Sequence, residues 1–423
     1  MFVNVRISSL HINRFRSILQ PFVLDQPGSL HIFIGSNNAG KTNLLDAIDQ
    51  LSNTVPDSST DIEASFALVG ESGTKLDVRQ KKGRTLFMLD GQPMDSANGQ
   101  EIIKRHIIRL CATVPVHRDK LTEDFQLLKN TYPAVYSHFI STLSKYIPQI
   151  SVTDELFTTF KSLGAGFQQV FVILMYLFHP HYTILLLEEP EIHLHPALIK
   201  RLLRVIEEEN RYNQVFLTTH SPLFIHTMDL HRLFRVVRDG ESTKVFSPRL
   251  IGKQLDYRRL TQELNADNTE MFFADKVLLV EGPSDHILMR GLIDRFYRGD
   301  KDVKVIQTYG KSNVDVYAEL LEIFHIPYVI MLDRDALFDA GIQLLQKLGK
   351  GKSLRVGDSL INKLKRANIF ILPNGSIESN YPQKYQRGKK HKPLNALYAS
   401  SQITKEEFHS DEMKFLCEVV DSI

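Results

Sequence analysis

Apolar and polar residues alternate along residues 2–34 with the period of two that is typical of β-strands. The last of these runs, residues 31–34, ends at Gly35. A helical pattern of apolar positions follows, from about residue 42 to about residue 51. The hydrophobic spacing therefore predicts a strand, a short loop and a helix in direct succession.

Short strand-like runs broken by glycine and aspartate fill residues 53–103, and they predict a β-meander. A further strand is predicted at residues 107–114, and residues 119–160 predict a small helical insertion. Helical and strand patterns then alternate, beginning with an apolar helix and a buried strand at 183–187. Three further segments complete this part of the chain. These segments are a helix at 197–210, a strand at 214–219, and two closing strands within 232–247.

A second alternation of strands and helices follows the polar residues 251–270. Ser284 is expected to cap the helix that follows the first strand of this second alternation. The sequence thus predicts an α/β chain with two domains, residues 1–265 and 266–423, the second with a parallel sheet flanked by helices. The strands predicted for that sheet are residues 276–280, 303–308, 328–332 and 368–372.

Composition narrows the class of protein without deciding it. Hydrophobic residues make up 43% of the 423 positions, and the net charge is only +2, so no chain-wide field indicates a nucleic-acid partner. The two cysteines form no C-x-x-C pair, which argues against a zinc ribbon and suits a reducing, cytoplasmic location. The N-terminal residues lack the apolar core of a signal peptide, and no apolar run is long enough to span a bilayer, so no membrane partner is expected.

The loop between the first predicted strand and helix fits G-x-x-x-x-G-K-[ST] without a gap. Its glycines let backbone N–H groups turn toward phosphate oxygens, and the helix N-terminus adds partial positive charge. Lys41 is expected to reach the β- and γ-phosphates of ATP, and the Thr42 hydroxyl to hold Mg²⁺. The residues predicted to bind nucleotide here are Gly35, Asn37, Asn38, Ala39, Gly40, Lys41 and Thr42.

Two acids, Glu188 and Glu189, end the buried strand at 183–187. An acid at the end of a strand beside a P-loop can hold the Mg²⁺ ion, and the next acid can polarise the attacking water. We therefore assign Glu188 to the metal and Glu189 as the general base. His220, at the end of the strand at 214–219, is placed to sense the γ-phosphate.

Ser162 and Gly164 precede an apolar helix, where a helix N-terminus can bind an anion. Taken with the P-loop, L-L-L-E-E-P-E and T-T-H-S in this order, the segment resembles an ABC-type ATPase of the SMC-like, DNA-associated kind. That resemblance implies a homodimer or higher homo-oligomer in which ATP lies between two heads, with Ser162 and Gly164 acting on the partner's ATP. The chain departs from the class by having Glu188 where Asp is usual.

Five carboxylates follow strands of the second predicted sheet or begin the helix after one. Because the carboxyl ends of parallel strands meet at one edge, these side chains are expected to converge. Their mutual repulsion requires cations, and oxygen-only ligands select Mg²⁺ or Mn²⁺. Two such ions could activate a water and stabilise the leaving oxygen of a phosphodiester. The five are Glu281, Asp285, Asp333, Asp335 and Glu378.

The E-G-x-x-D and D-R-D elements on these strand ends resemble a Toprim domain. The phrase FFADKVLLVEGPSD behind an ABC-type ATPase resembles the OLD (overcoming lysogenization defect) family, ATPase–Toprim nucleases often tied to phage defence. The resemblance implies that Ser376 and Glu378 form the downstream S-x-E metal element. It also implies an active-site lysine in a K-P-x-x-A element, which Lys392 fits, although Lys389 and Lys390 lie close by.

Twelve Lys or Arg residues fall within residues 346–392, opposed only by Asp358 and Glu378. Such a strip favours the phosphate backbone of DNA, although a solvated face is the simpler alternative. We therefore expect an enzyme that binds and hydrolyses ATP and, with Mg²⁺ or Mn²⁺, nicks or cuts DNA, serving in anti-phage defence. The alternative is a nucleotide-controlled sensor ATPase whose Toprim domain acts on RNA or tRNA, or which works with partner proteins or an RNA.

Overall fold

The computed structural model describes residues 4–53, 55–69, 74–113, 116–152, 160, 162–210, 213–225, 229–251, 268–339, 342–345, 358–386 and 391–423. The chain forms two compact units, Met1–Gln254 and Leu255–Ile423. The domain boundary expected after residue 265 falls within residues 252–267, outside the described residues, and stays a prediction.

The first unit contains two six-stranded sheets among its described residues. Its strands are β1 (Asn4–Arg14), β2 (Phe22–Asp25), β3 (Leu30–Ile34), β4 (Asp61–Val69), β5 (Lys75–Lys81), β6 (Arg84–Leu89), β7 (Gln92–Met94), β8 (Ile107–Cys111), β9 (Ile184–Glu188), β10 (Gln214–Thr219), β11 (Leu233–Asp239) and β12 (Ser242–Phe246). Its α-helices are α1 (Lys41–Gln50), α2 (Ser96–His106), α3 (Arg118–Thr131), α4 (Pro133–Tyr146), α5 (Ala165–Phe178) and α6 (Pro196–Glu209).

One sheet is antiparallel, in the order β2-β1-β4-β5-β6-β7, and strands such as β5 alternate between buried and exposed positions. The other sheet has the order β12-β11-β3-β10-β9-β8, and its strands are parallel except for β12. All five residues of β3 and all six of β10 are buried, as expected for strands covered on both faces. This second sheet carries the P-loop.

Gln214, which is buried at the start of β10, joins the two sheets. Its Oε1 accepts the Ile7 N–H at 2.7 Å, and its Nε2 donates to the Ile7 carbonyl at 2.9 Å. A buried amide whose donor and acceptor are both used avoids the cost of burying an unpaired polar group. The P-loop sheet is thereby fastened to the antiparallel sheet at one defined register.

The predicted strand at 214–219 is confirmed residue for residue as β10, and the predicted meander is confirmed as β4–β7. The end of the meander was predicted wrongly, because residues 96–106 form the helix α2. Asp95 caps this helix by accepting the N–H groups of Ala97 and Asn98 at 3.1 and 3.2 Å.

The second unit is built on a parallel sheet of four described strands in the order β14-β13-β15-β16. Its strands are β13 (Lys276–Val280), β14 (Val303–Gln307), β15 (Tyr328–Leu332) and β16 (Ile369–Ile371). Its α-helices are α7 (Pro283–Phe296), α8 (Val314–Ile323), α9 (Asp358–Arg366), α10 (Lys392–Gln402), α11 (Lys405–Phe408) and α12 (Lys414–Asp421).

A continuous core of residues from β13, β15, α7, α10 and α12 covers one face of this sheet. The predicted strands at 276–280 and 328–332 are confirmed as β13 and β15. Ser284 is not the helix cap that the sequence predicted. Helix α7 begins at Pro283, and the Asp285 side chain accepts the N–H of the N-cap residue Gly282 at 2.8 Å.

Candidate functional site

The P-loop connects β3 to α1, and its two glycines are required by the backbone. Gly35 and Gly40 have φ angles of +151° and +102°, which other residues rarely adopt. A Cβ on Gly35 would lie 2.1 Å from the Val236 carbonyl oxygen, and one on Gly40 would lie 2.2 Å from Thr243 Oγ1. The loop backbone therefore packs so closely against β11 and β12 that these strands fix its shape.

Lys41, the first residue of α1, is buried at the mouth of this loop. Its Nζ donates to the carbonyl oxygens of Gly35 and Ser36 at 3.0 and 2.9 Å. Burial lowers the pKa of Lys41 to about 8, against the opposing effect of Glu189 and Glu191. Of the other loop residues, Asn37 and Asn38 are exposed toward solvent.

His220, at the end of β10, links Lys41 to the predicted general base. Its Nε2 lies 2.9 Å from Lys41 Nζ and 2.8 Å from Glu189 Oε1. Glu189 itself has a φ of +45°, an unusual backbone for a non-glycine residue, directly after the buried strand β9. The structure thus brings three of the predicted ATP-site residues into one chain of polar contacts.

Glu191 belongs to the same group of contacts, although no sequence pattern selected it. Its Oε1 accepts the Thr219 hydroxyl at 2.7 Å and the His220 N–H at 2.6 Å. Its Oε2 is buried with no hydrogen-bond partner among the described residues. Glu191 therefore fixes the end of β10 and, with it, the position of the His220 ring.

Glu188, predicted to hold Mg²⁺, meets Thr42 as the P-loop motif requires. Thr42 Oγ1 donates to Glu188 Oε1 at 2.8 Å, and Arg109 Nη2 donates to Glu188 Oε2 at 2.6 Å. Burial opposes its ionisation, but the hydrogen bonds from Arg109 and Thr42 hold the pKa of Glu188 below its usual value. The carboxylate is thus kept charged, as a metal ligand must be.

Arg109 is a site residue that sequence reasoning missed. It lies on β8, and its guanidinium pairs with Glu188 and with Asp46 of α1. Asp46 also pairs with Arg16. One planar side chain therefore joins the acid at the end of β9 to the helix that begins at the P-loop.

An Arg109→Met variant is expected to bind ATP less tightly in the presence of Mg²⁺, by about tenfold, while its Mg²⁺-free affinity changes less. The reason is that a part-buried Glu188 left without its charged partner is poorly oriented and poorly ionised. Titration of a fluorescent ATP analogue with Mg²⁺ and with EDTA measures the difference. Arg105→Met, at an exposed arginine paired with Glu101 on α2, is the matched control. Equal losses with and without Mg²⁺ would contradict the assigned role.

Ser162 and Gly164 lie at the N-terminal end of α5, where Gly164 is the N-cap. Both are exposed, and Gly164 lines a cavity of about 430 Å³ with His193 and His195. His195 caps α6 by accepting the Ala197 N–H at 3.3 Å. The predicted action of Ser162 and Gly164 on a second head stays a prediction.

In the second unit, the predicted carboxylates meet at the carboxyl edge of the parallel sheet. Glu281 follows β13, while Asp333 and Asp335 follow β15. One ligand oxygen from each of these three residues lies within 4.8 Å of the others. Asp285 lies in the first turn of α7, and Glu378 lies in a short 3₁₀ helix, Ile377–Asn380, that follows β16.

Crowding of these acids opposes their ionisation. Burial, reinforced by Asp285 and Glu281, raises the pKa of Asp333 to about 7. Burial, with Glu281 and Glu378 nearby, raises the pKa of Asp285 to about 6 even though the Gly282 N–H opposes the shift. Burial and Asp335 also raise the pKa of Glu281. Raised pKa values of several neighbouring carboxyl groups indicate that binding of a cation among them is strongly favoured.

Two lysines contact the outer acids of this cluster. Lys392, at the start of α10, has its Nζ 3.2 Å from Glu378 Oε2, which also accepts the Ser376 hydroxyl at 2.7 Å. Although burial opposes it, these hydrogen bonds lower the pKa of Glu378. Lys311 has its Nζ 2.8 Å from Asp335 Oδ2. Lys392 was predicted from its motif, whereas Lys311 was missed.

Two family models match parts of the chain. Residues 108–226 match the "AAA domain, putative AbiEii toxin, Type IV TA system", and residues 272–335 match the "Overcoming lysogenization defect protein-like, TOPRIM domain". The chain carries an AAA-type ATPase domain and an OLD-like Toprim domain. The predicted α/β fold class, an ATPase domain followed by a Toprim domain, is thereby confirmed, as is the resemblance to the OLD family.

Curated relatives share parts of this arrangement. Endonuclease GajA of Bacillus cereus (strain VD045) is 30% identical over 215 residues, which cover 50% of this chain and 35% of the relative. OLD nuclease of Thermus scotoductus is 27% identical over 161 residues, covering 36% and 30%. The chain thus spans about a third of the length of these relatives.

The SMC head domain from Thermotoga maritima is a distant structural neighbour. It has a TM-score of 0.42 and 17% identity, and the match covers 57% of this chain and 98% of that one. The SMC head bound to the C-winged helix domain of ScpA has a TM-score of 0.43 and 14% identity. That match covers 58% of this chain and 99% of the other. TM-scores below 0.5 mark a remote likeness.

The carboxylate cluster of the Toprim domain fits a divalent cation. Glu281 Oε2 is buried and has no hydrogen-bond partner among the described residues, which is costly for a carboxylate unless a cation satisfies it. The donor set consists of carboxylate oxygens, the ligands that Mg²⁺ and Mn²⁺ prefer. The match to the Toprim model covers Glu281, Asp285, Asp333 and Asp335, whereas Ser376, Glu378 and Lys392 follow its end.

The predicted basic strip is described only in part. Lys365 pairs with Glu418 and Lys384 with Glu407, both in the second unit, so these two lysines are already neutralised. The strip therefore gives weaker support for a DNA-binding surface than its composition suggested. Seven of its twelve members lie outside the described residues: Lys347, Lys350, Lys352, Arg355, Arg387, Lys389 and Lys390.

Among the described residues, no helix combines the length and the apolar character needed to cross a membrane.

Proposed function

We propose that this chain binds and hydrolyses ATP and cleaves DNA with divalent cations, as an endonuclease or nickase. The observation that carries the proposal is the group of Glu281, Asp333 and Asp335 at the carboxyl edge of the Toprim sheet, in which Glu281 Oε2 is buried without a hydrogen-bond partner among the described residues. The printed names of two relatives, endonuclease GajA and OLD nuclease, support the same class of reaction.

The residues that would hold divalent cations are Glu281, Asp285, Asp333, Asp335, Ser376 and Glu378. Bound there, Mg²⁺ or Mn²⁺ would supply an activated water and stabilise the leaving oxygen of the phosphodiester. The chain itself holds the acids in place at the ends of its strands and in the first turn of α7, and Lys392 offers an ammonium beside Glu378. That ammonium is placed to contact a phosphate of the DNA backbone.

In the ATPase domain, Lys41 and the P-loop backbone would hold the phosphates of ATP, with Thr42 and Glu188 on its Mg²⁺. Glu189 accepts the proton of the attacking water, and His220 lies beside it to contact the γ-phosphate. We propose that two copies of the chain pair, so that Ser162 and Gly164 of one copy complete the ATP site of the other. The SMC-like order of motifs supports this pairing.

A nicking assay on supercoiled plasmid tests the nuclease proposal. Open-circular product is expected with Mg²⁺ or Mn²⁺ and none with EDTA, because the acid cluster needs cations before a phosphate can approach it. Parallel reactions with and without ATP determine whether the nucleotide promotes or restrains cleavage. Equal amounts of single-stranded DNA and tRNA serve as competing substrates. Cleavage of tRNA with intact DNA would reject the DNA assignment.

We also propose that the chain acts in the cytoplasm in defence against phages. Its resemblance to the OLD family supports the defence role, and two unpaired cysteines, Cys111 and Cys417, suit a reducing compartment. Plaque counts on cells that produce the intact chain, compared with cells that produce an Asp333→Ala variant, measure the defence role. Equal plaque counts would reject it.

A further inference from the structure

Lys311 supplies a positive charge at the carboxylate cluster that none of the assignments above uses. Its Nζ lies 2.8 Å from Asp335 Oδ2 and 3.8 Å from Asp339 Oδ2. Asp335 is one of the three clustered acids, and its side chain is 69% exposed, whereas that of Lys311 is only 27% exposed. The less exposed lysine therefore pairs with the most exposed acid of the cluster.

The backbone that carries Lys311 is fastened to the end of β13. Thr308 donates its N–H and its hydroxyl to the Val280 carbonyl at 2.9 and 3.2 Å, and the Gly310 N–H donates to the Glu281 carbonyl at 3.2 Å. Tyr309 has a φ of +56°, a strained conformation for a bulky residue. A loop held in this conformation beside a carboxylate cluster presents Lys311 at a defined position.

The sheet order places the loop that carries Lys311 after one outer strand, and the acid that Lys392 contacts after the other. Lys311 follows β14 and Lys392 contacts Glu378, which follows β16, while β13 and β15 with their acids lie between. Neighbouring strands are about 4.8 Å apart, so β14 and β16 are separated by about 14 Å. A phosphodiester chain that crosses the ends of these strands would pass both the loop that carries Lys311 and the acid that Lys392 contacts.

We propose that Lys311 leaves Asp335 when the acidic cluster takes up cations and then holds a backbone phosphate of the nucleic-acid strand. The inference rests on the proposed nuclease function. An ammonium and a divalent cation compete for the Asp335 carboxylate, because each neutralises the same charge. Once released, the ammonium can contact a phosphate of a nucleic-acid strand that lies over the sheet edge. Lys392, beside Glu378, can contact another phosphate of the same strand.

This role predicts that a Lys311→Met variant of the full chain binds metal more tightly and nucleic acid less tightly than the wild type. Without nucleic acid, its Mn²⁺ affinity, measured by electron paramagnetic resonance, is expected to rise two- to fivefold, roughly the strength of an exposed ion pair. Its affinity for a fluorescein-labelled single-stranded DNA 12-mer in Ca²⁺ is expected to fall about tenfold. The slope of log affinity against log salt is expected to decrease by about 0.7.

Lys304→Met is the matched control, since Lys304 lies on β14 and pairs with Glu270 and Asp302 at 3.7 and 3.6 Å. It should change neither affinity. Lys311→Arg should restore oligonucleotide binding to near the wild-type level, because it keeps the charge. Thermal unfolding of each variant shows that the comparison concerns folded protein.

The possible results separate this inference from the proposed function. An Asp333→Ala variant is measured alongside, and if it binds Mn²⁺ as the wild type does, the metal site itself is rejected. If Asp333→Ala loses Mn²⁺ binding while Lys311→Met leaves both affinities unchanged, only the Lys311 inference is overturned. A Lys311→Met variant with stronger Mn²⁺ binding and unaltered oligonucleotide binding rejects the phosphate contact. A fall in Mn²⁺ affinity shows that the ion pair only supports the loop.

Discussion

Replacement of Asp333 by Ala is expected to abolish metal-dependent cleavage while ATP binding is retained. Asp333 follows β15, it is part-buried, and its oxygen belongs to the group that includes Glu281 and Asp335. Altering even the hydrogen-bond partners of metal ligands costs about 10–100-fold in affinity or activity, so loss of a ligand should cost more than about 100-fold. Plasmid nicking with Mg²⁺ or Mn²⁺ measures the loss, and binding of a fluorescent ATP analogue measures the ATPase domain.

Asp294→Ala is the control for this change, because Asp294 is an exposed acid on α7, outside the carboxylate cluster. It should nick plasmid at the wild-type rate. Removal of Asp333 also removes one of several crowded negative charges, so the variant should be no less stable toward heat than the wild type. Nicking at the wild-type rate by Asp333→Ala, in the same metal, would show that the cleavage site lies elsewhere.

A Glu189→Gln variant should bind ATP as the wild type does but hydrolyse it 100-fold or more slowly. A positioned general base contributes about 10²- to 10⁴-fold, and the amide keeps the size of the side chain without the ability to take a proton. Glu189 Oε1 lies 2.8 Å from His220 Nε2, which lies 2.9 Å from Lys41 Nζ, so the carboxylate is close to the lysine of the P-loop. Phosphate release under single-turnover conditions separates the chemical step from binding.

Two further variants make the ATPase result specific. Glu241→Gln changes an exposed acid in the turn between β11 and β12 and should hydrolyse ATP normally. Lys41→Ala should lose nucleotide binding itself, since it removes the buried ammonium at the mouth of the P-loop. Hydrolysis at the wild-type rate by Glu189→Gln would transfer the role of base to another acid. Glu191 is then the first to test, because its Oε2 is buried and has no hydrogen-bond partner in the described part of the chain.

Local sequence was sufficient to predict those elements whose defining pattern lies within one continuous segment. The P-loop, the strand β10 and the strands β13 and β15 were predicted closely, because each has a continuous apolar run that ends in glycine or in polar residues. The convergence of Glu281 and Asp333 also followed from local sequence. Acids that come directly after parallel strands must meet at one edge.

Contacts between distant segments could not be predicted in this way. Arg109 lies 79 positions before Glu188, and no pattern near it indicates that the two side chains meet across β8 and β9. Lys311 lies 24 positions before Asp335, in a loop whose geometry depends on hydrogen bonds to β13. Helix α2 was missed because the glycine and aspartate residues within 53–103 were interpreted as breaks between strands of a meander, whereas Asp95 caps a helix there.

The strand order of the P-loop sheet has a consequence for biosynthesis. Among the described residues, β3 pairs with β10 and β11, and Thr243 of β12 contacts the backbone at Gly40, so the shape of the P-loop depends on residues about 200 positions later. On the ribosome, at about 5–20 residues per second, roughly 10 to 40 s separate the emergence of these segments. The meander β4–β7 can form on the nascent chain during that interval, but a nucleotide can be captured only after β12 has been made.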